Sequence, residues 1–284
     1  MARQFYAWKQ YQPSETAAII FAVIFGLLLI AHVFQAARAR IWYTWPLILS
    51  TAIEFVGYVL REWCIKNPHV MAPYIISQVF IILAPACLAA NLYMFVGRAM
   101  LYVGPGYSIV RPSWITPTFV TLDVVSIATQ GMGSAFLFGS ETSLDKLKRG
   151  RMILILGLFI QLVAFTVFLF FAIWFDRKTT VTLRNRVARL RPLMNSFYIS
   201  GALILLRSIY RAIEFITVDF TKRPATGYLF NVEWTYYVLD ALPITLSILI
   251  YNILFPANYL PKNKKETMAQ ENDQDEVKMD ETPA

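Results

Sequence analysis

Residues 203–216 read LILLRSIYRAIEFI, an apolar run interrupted by Arg207, Arg211 and Glu214. An α-helix turns about 100° per residue, so offsets of four and seven return to nearly the same side. The three charges form one stripe, spread over roughly 60° of the helix. The surrounding segment Leu193–Ile216 is long enough to cross a bilayer, for which about 20 apolar residues suffice. A charge at that depth costs at least about 2.5–3.5 kcal/mol on insertion scales. It persists only where it faces protein or water. The stretch therefore reads as one helix of a membrane bundle with a polar interior.

Six further segments have the same length and apolarity: Thr16–Ala36, Trp42–Trp63, Pro73–Val96, Trp114–Phe136, Met152–Phe175 and Val232–Phe255. Of the 284 residues, 57% are hydrophobic and 15% charged, against about 25% charged in soluble domains. The expected fold is all-α: a polytopic bundle of seven transmembrane helices. Trp42, Trp45, Trp63, Trp114, Trp174, Trp234 and Tyr259 stand near segment ends, at headgroup level. Arg3 and Lys9 precede the first segment, and Ala37-Arg38-Ala39 faintly resembles a cleavage site. That apolar core is too long for a signal-peptide core of about 7–15 residues, so it reads as a retained span.

The net charge of +8 is carried by connections between apolar runs, the positive-inside pattern rather than a nucleic-acid patch. Residues 176–192 hold Arg177, Lys178, Arg184, Arg186, Arg189 and Arg191. Arg38, Arg40, Arg98, Arg111, Lys262, Lys264 and Lys265 fall on the same side. The count favours an outside N-terminus and a cytoplasmic C-terminus. Three regions follow: a short extracellular stretch at 1–15, the membrane domain at 16–256, and an acidic, disordered cytoplasmic tail at 257–284.

Polar residues at membrane depth are not confined to the sixth span. Glu54, Tyr58 and Arg61 repeat the four-and-seven spacing in the second, as do Glu233, Tyr237 and Asp240 in the seventh. The fourth carries Asp123, Ser126 and Gln130, the third Gln78, the fifth Gln161. Polar faces on so many helices suggest a shared, partly wet interior. The candidate pathway residues are Glu54, Arg61, Gln78, Asp123, Gln130, Arg207, Arg211, Glu214, Tyr237 and Asp240. A second reading stays open, in which pairs such as Arg211 with Glu214, or Glu54 with Arg61, only lock helices together. Arg61 can also snorkel to the interface, and Glu233 reads as a boundary residue. Asp123 and Asp240 have no basic partner on their own helix. Each needs an arginine from another span, a proton or a cationic ligand. Pro85 and Pro243 each free a backbone carbonyl for ligand, water or a kink. Gly131 and Gly133 mark a helix end or a close contact.

Several chemistries drop out. There is no Gly-x-x-x-x-Gly-Lys-Ser/Thr loop for nucleotide phosphate. The seventh span has no lysine for a retinal Schiff base, and His32 and His69 are too few for a three-histidine zinc site. Cys64 and Cys87 make neither a disulfide framework nor a thiolate metal site. His32 reads as a packed or interfacial histidine. Pro256-Ala-Asn-Tyr259 lacks the asparagine that precedes this motif in rhodopsin-like receptors and is read as a chance match. No catalytic set, cofactor or metal is expected.

A series of motifs remains: Tyr11-x-Pro13-Ser14, His32 with Gln35, EFVGYVLR (54–61), ILAPACLAANLYMFVGR (82–98), DVVSIATQGMG (123–133), GLFIQLVAF (157–165), LLRSIYRAIEF (205–215) and EWTYYVLD (233–240). In this order they resemble the fungal lipid-translocating exporter family, also called the aminosterol-resistance (RTA-like) family. Phe255-Pro256-Ala257 departs from the His-Pro-Gly that many members carry there. The resemblance implies seven spans, an outside N-terminus, and export or translocation of amphipathic lipids such as sphingoid long-chain bases, or resistance to toxic amphiphiles. The expected setting is the plasma membrane, with a vacuolar or other endomembrane as the alternative. The alternative is a seven-span lipid sensor signalling through residues 176–192. Arg184, Arg186, Arg189 and Arg191 are candidate contacts for anionic lipid.

Overall fold

The computed structural model describes residues 13–41, 43–103, 111–138, 143–182, 184–219 and 226–256, with side chains given for all of these except 102–103, 138, 180–182 and 184–190. The architecture is all-α. Six long helices come first: α1 (Glu15–Ala39), α2 (Trp45–Lys66), α3 (Met71–Val103), α4 (Pro112–Phe138), α5 (Leu144–Thr182) and α6 (Arg184–Thr217). A single turn, Tyr228–Asn231, precedes the last helix, α7 (Glu233–Ile253). That helix starts as Glu233–Tyr236, loosens into a π-turn over Tyr237–Ala241 and resumes at Leu242–Ile253.

Local chemistry explains the helix starts. The Ser14 hydroxyl accepts from the Ala17 amide at 3.3 Å and caps α1, satisfying one of the donors a first turn leaves open. Pro46 stands in the first turn of α2, where its missing N–H is no loss. The π-turn ends two residues before Pro243, which has no N–H to give; at its edge the Leu242 amide reaches back five residues to the Tyr237 carbonyl.

Among the described residues, α1, α3, α4, α5 and α7 are long and apolar enough to cross a membrane. Of the other two long helices, α2 carries Glu54, Arg61 and Glu62, and α6 carries Arg207, Arg211 and Glu214. Large apolar side chains point outward all round the bundle, including Leu27, Ile30 and Phe34 on α1, Phe159 and Phe170 on α5, and Ile199 and Ile216 on α6. Exposed apolar surface of this extent belongs against lipid. The chain is an integral membrane protein.

Helix ends differ from span ends. The stretch expected as a loop at 176–192 is mostly helix, because α5 runs to Thr182 and α6 begins at Arg184. Hydropathy locates the edge of the hydrocarbon, whereas a helix continues into water while its residues favour it. With 39 residues, α5 is about 58 Å long, nearly twice the hydrocarbon thickness of about 30 Å. Asp176 ties the two extensions together, accepting from Tyr198 at 2.6 Å and from Arg191 at 3.2 Å. Arg191 is thus ion-paired; the side chains of Arg184, Arg186 and Arg189, and the tail at 257–284, lie outside the described residues.

Two helix pairs are tightly joined. In α4–α5, a Cβ on Gly133 would stand 2.6 Å from the Leu154 nitrogen, and one on Gly157 2.9 Å from the Ser126 carbonyl. Small residues let membrane helices approach this closely, and Ser126 donates to the Gly157 carbonyl at 2.7 Å across the seam. In α2–α3, Ser77 donates to the Gly57 carbonyl at 2.8 Å and Ser50 to that of Ala84 at 2.7 Å. His32 is fully buried between α1 and α7 with Nε2 3.3 Å from the Ile248 carbonyl, a packed histidine as expected.

Candidate functional site

The charged stripe of α6 meets α7 inside the bundle. Asp240 Oδ1 lies 2.8 Å from Arg207 Nε and 3.4 Å from Arg211 Nε. The shorter approach is an ion contact without the angle of a hydrogen bond. Arg211 Nη1 donates to Glu214 Oε2 at 2.8 Å, the intrahelical pair that the spacing predicts. Arg207 Nη2 donates to the Ile81 carbonyl at 3.1 Å. Ile81 stands four residues before Pro85, so this is the carbonyl that the proline leaves without its helical donor. The proline in α3 therefore makes the acceptor that holds an arginine of α6.

A second pair closes the end of the bundle that holds Ser14. Arg61 Nη2 lies 3.1 Å from Glu233 Oε1, and Glu233 Oε2 accepts the Ser14 amide at 2.8 Å. Arg61 Nε donates to the Tyr237 hydroxyl at 3.4 Å, and the guanidinium sits 4.6 Å from the Tyr236 ring centre. Two expectations are corrected here. Arg61 does not snorkel, being 1% exposed. Its carboxylate is Glu233 on α7 rather than Glu54 on its own helix, because α7 brings an acid and two aromatic faces to it. Glu233, expected as a boundary residue, belongs to the cluster. The usable signal was that Arg61 and Glu233 close antiparallel spans at the same end of the bundle.

Glu54 is 2% exposed. Among the described residues it has no ion pair or hydrogen bond, though Arg207, Asp240 and Arg211 all act on it electrostatically. Three guanidiniums (Arg61, Arg207, Arg211) thus face four carboxylates (Glu54, Glu214, Glu233, Asp240). Each arginine already has a carboxylate, and Glu54 is the one in excess.

The cluster borders open space. A cavity of about 120 Å³ is lined by Arg61, Arg211, Glu214, Glu233 and Tyr236, with Gln78 and Ser134 opposite. Deeper, a void of about 20 Å³ lies among Arg207, Arg211, Gln130, Gln161 and Ser134, enough for a water. Gln130 donates to Ser126 at 2.9 Å and to Gln161 at 3.1 Å, so that wall is preorganised. Towards the opposite end the interior is filled by Leu88, Leu92, Tyr93, Phe168, Phe197 and Ile248. The polar space lies on the Ser14 side of this plug, against Arg61 and Glu233.

Asp123 lies elsewhere. Its Oδ2 accepts from Tyr93 at 2.9 Å, and Tyr93 packs edge-on to Phe168 at 4.5 Å. The position expected in a common charged interior is instead a separate α3–α4 contact within the aromatic plug. Depth along the helix decided this, since residues seven apart share a face. On α4, Gln130 turns towards the cavity, while Asp123, two turns away, meets Tyr93.

The family described as RTA1 like protein matches residues 47–263. Protein RTA1 of Saccharomyces cerevisiae is 29% identical, over 90% of this chain and 87% of its own length. A probable lipid transporter of Emericella nidulans, atnI, is 29% identical over 88% of this chain and 67% of its own. The sphingoid long-chain base transporter RSB1 of Saccharomyces cerevisiae is 23% identical over 86% and 72%. No solved structure matches the chain.

Proposed function

We propose that this chain, which belongs to the RTA1-like family, moves single amphipathic lipids across a fungal membrane, with long-chain bases as the preferred class. The observation that carries the reading is the charge count of the buried cluster, four carboxylates to three guanidiniums, with Glu54 in excess. An ammonium head group entering the cavity beside this cluster supplies the missing positive charge. Relatives named as a lipid transporter and a long-chain base transporter are consistent with this cargo.

In this reading all seven long helices span the bilayer, and the positive-inside rule puts the Ser14 end outside. The open cavity then faces the outer leaflet, and the aromatic plug closes the cytoplasmic half. Arg207 and Arg211 pair with Asp240 and Glu214, while Gln78 and Gln130 offer hydrogen bonds to head-group hydroxyls. With no nucleotide loop in this sequence, transport runs downhill, on a proton gradient or with the help of a partner.

The test is reconstitution into vesicles, following labelled long-chain base, phospholipid and free fatty acid with and without a pH gradient. Movement of the base above the empty-vesicle rate supports the reading. Movement at the empty-vesicle rate refutes it. Recruitment of a cytoplasmic partner through residues 176–192 would then favour the lipid sensor, for which the helical extensions of α5 and α6 form a docking stalk.

A further inference from the structure

Beside the polar cavity, a groove of about 350 Å³ runs between α3 and α4. Its α3 wall is Met71, Ile75, Val79 and Ile82, offsets of four, four and three along one helix face. Its α4 wall includes Ile127 and Gly131. Val79 is 47% exposed, so the groove faces the bilayer. It is also continuous with the head-group space, because Ile75, Val79, Ile82 and Ser134 line both.

We propose that this groove is the tail subsite, taking one alkyl chain of a lipid whose head group occupies the cavity; this rests on the lipid reading above. Three observations carry it. From Met71 to Ile82 the α3 wall is about 16 Å long, close to half of the roughly 30 Å hydrocarbon layer, which is the depth of one leaflet. Tyr93 and Asp123 join α3 to α4 further along, past Ile127, and close the groove there. At Gly131 an added Cβ would meet nothing within 4 Å, whereas at Gly133, two residues on, it would strike α5. The missing side chain at 131 widens the groove without serving the packing of α4. The lipid therefore enters sideways between α3 and α4, its head group turned inward to the charges and its tail still in hydrocarbon. A slot of this volume suits a single-chain amphiphile rather than a two-chain phospholipid.

Photolabelling of the purified full-length protein in phosphatidylcholine vesicles tests this. The probe is a long-chain amine carrying a diazirine near its tail end, compared with a two-chain phospholipid bearing the same group. The amine is expected to label residues 71–82 and 127–135, and the phospholipid to stay at background there. Gly131→Leu should cut labelling about tenfold, the loss expected when roughly two methylenes lose their burial. Its thermal stability should hold, since the new side chain enters open space. Labelling on α6 or α7 instead, equal labelling by the phospholipid, or a stable Gly131→Leu protein labelled as strongly as the parent would each overturn the proposal. Flip assays on the same vesicles keep the two ideas apart. Groove labelling without movement refutes only the transport reading, and movement without groove labelling refutes only the tail subsite.

Discussion

Replacing Glu54 by glutamine should abolish movement of cationic lipid while leaving the fold intact. The carboxyl is 2% exposed and is the one acid of the cluster without an arginine of its own. The amide keeps the volume of the side chain and removes one negative charge. Taking a separation of about 5 Å from a bound ammonium, the charge contributes about 3 kcal/mol at an effective dielectric near 20, so affinity should fall on the order of 100-fold. Stability should change by no more than about 1 kcal/mol, because losing the attraction of Arg207 and Arg211 is offset by no longer burying a charge. Asp240→Asn is the contrast. Asp240 stands 2.8 and 3.4 Å from two guanidinium nitrogens, gross attractions of about 6 and about 5 kcal/mol at that dielectric. Desolvation offsets most of this, and breaking such a buried pair costs about 3–5 kcal/mol net. The assays are thermal unfolding in detergent and long-chain base movement in vesicles. If Glu54→Gln destabilises as much as Asp240→Asn, or moves the base at the parent rate, the excess-carboxylate reasoning fails.

Gly133→Ala should destabilise by about 1–3 kcal/mol, since its Cβ falls 2.6 Å from the Leu154 nitrogen; Gly131→Ala should be neutral or stabilising by up to about 1 kcal/mol, both read by thermal unfolding. Pro85→Ala restores a helical donor to the Ile81 carbonyl in competition with Arg207 Nη2. It should leave thermal stability equal or higher while slowing long-chain base movement several-fold, and an unchanged rate would show that the carbonyl does not position Arg207. Asp123→Asn and Asp240→Asn should be additive in stability within about 0.5 kcal/mol, because the two carboxylates sit in separate clusters; a double-mutant cycle with larger coupling would place them in one.

The stripe at 207, 211 and 214 was legible because helical spacing alone sets which residues share a face. Burial of those charges followed from the apolar residues around them. The Arg211–Glu214 pair was equally plain, being local to one helix. Arg61 was not: its choices, Glu54 on its own helix or Glu233 on another, depend on how α2 and α7 are turned about their axes. Gly131 and Gly133 look alike in sequence, yet one opens onto a groove and the other is clasped by α5. The mostly helical stretch at 176–192 was hidden because charge and hydropathy report the membrane edge rather than the helix end.

By itself, the sequence determined the membrane class of the protein, its all-α character, the faces that carry charge, and the proline that frees a carbonyl in α3. All of these depend on residues within a few turns of one another and on the energy of moving side chains out of water. The tertiary structure decided which charge meets which, that Asp123 stands apart with Tyr93, that Arg207 takes the carbonyl freed by Pro85, and that a polar cavity adjoins an apolar groove. Those depend on the rotation and depth of each helix against its neighbours, set by the packing of the whole bundle, and no single segment encodes them.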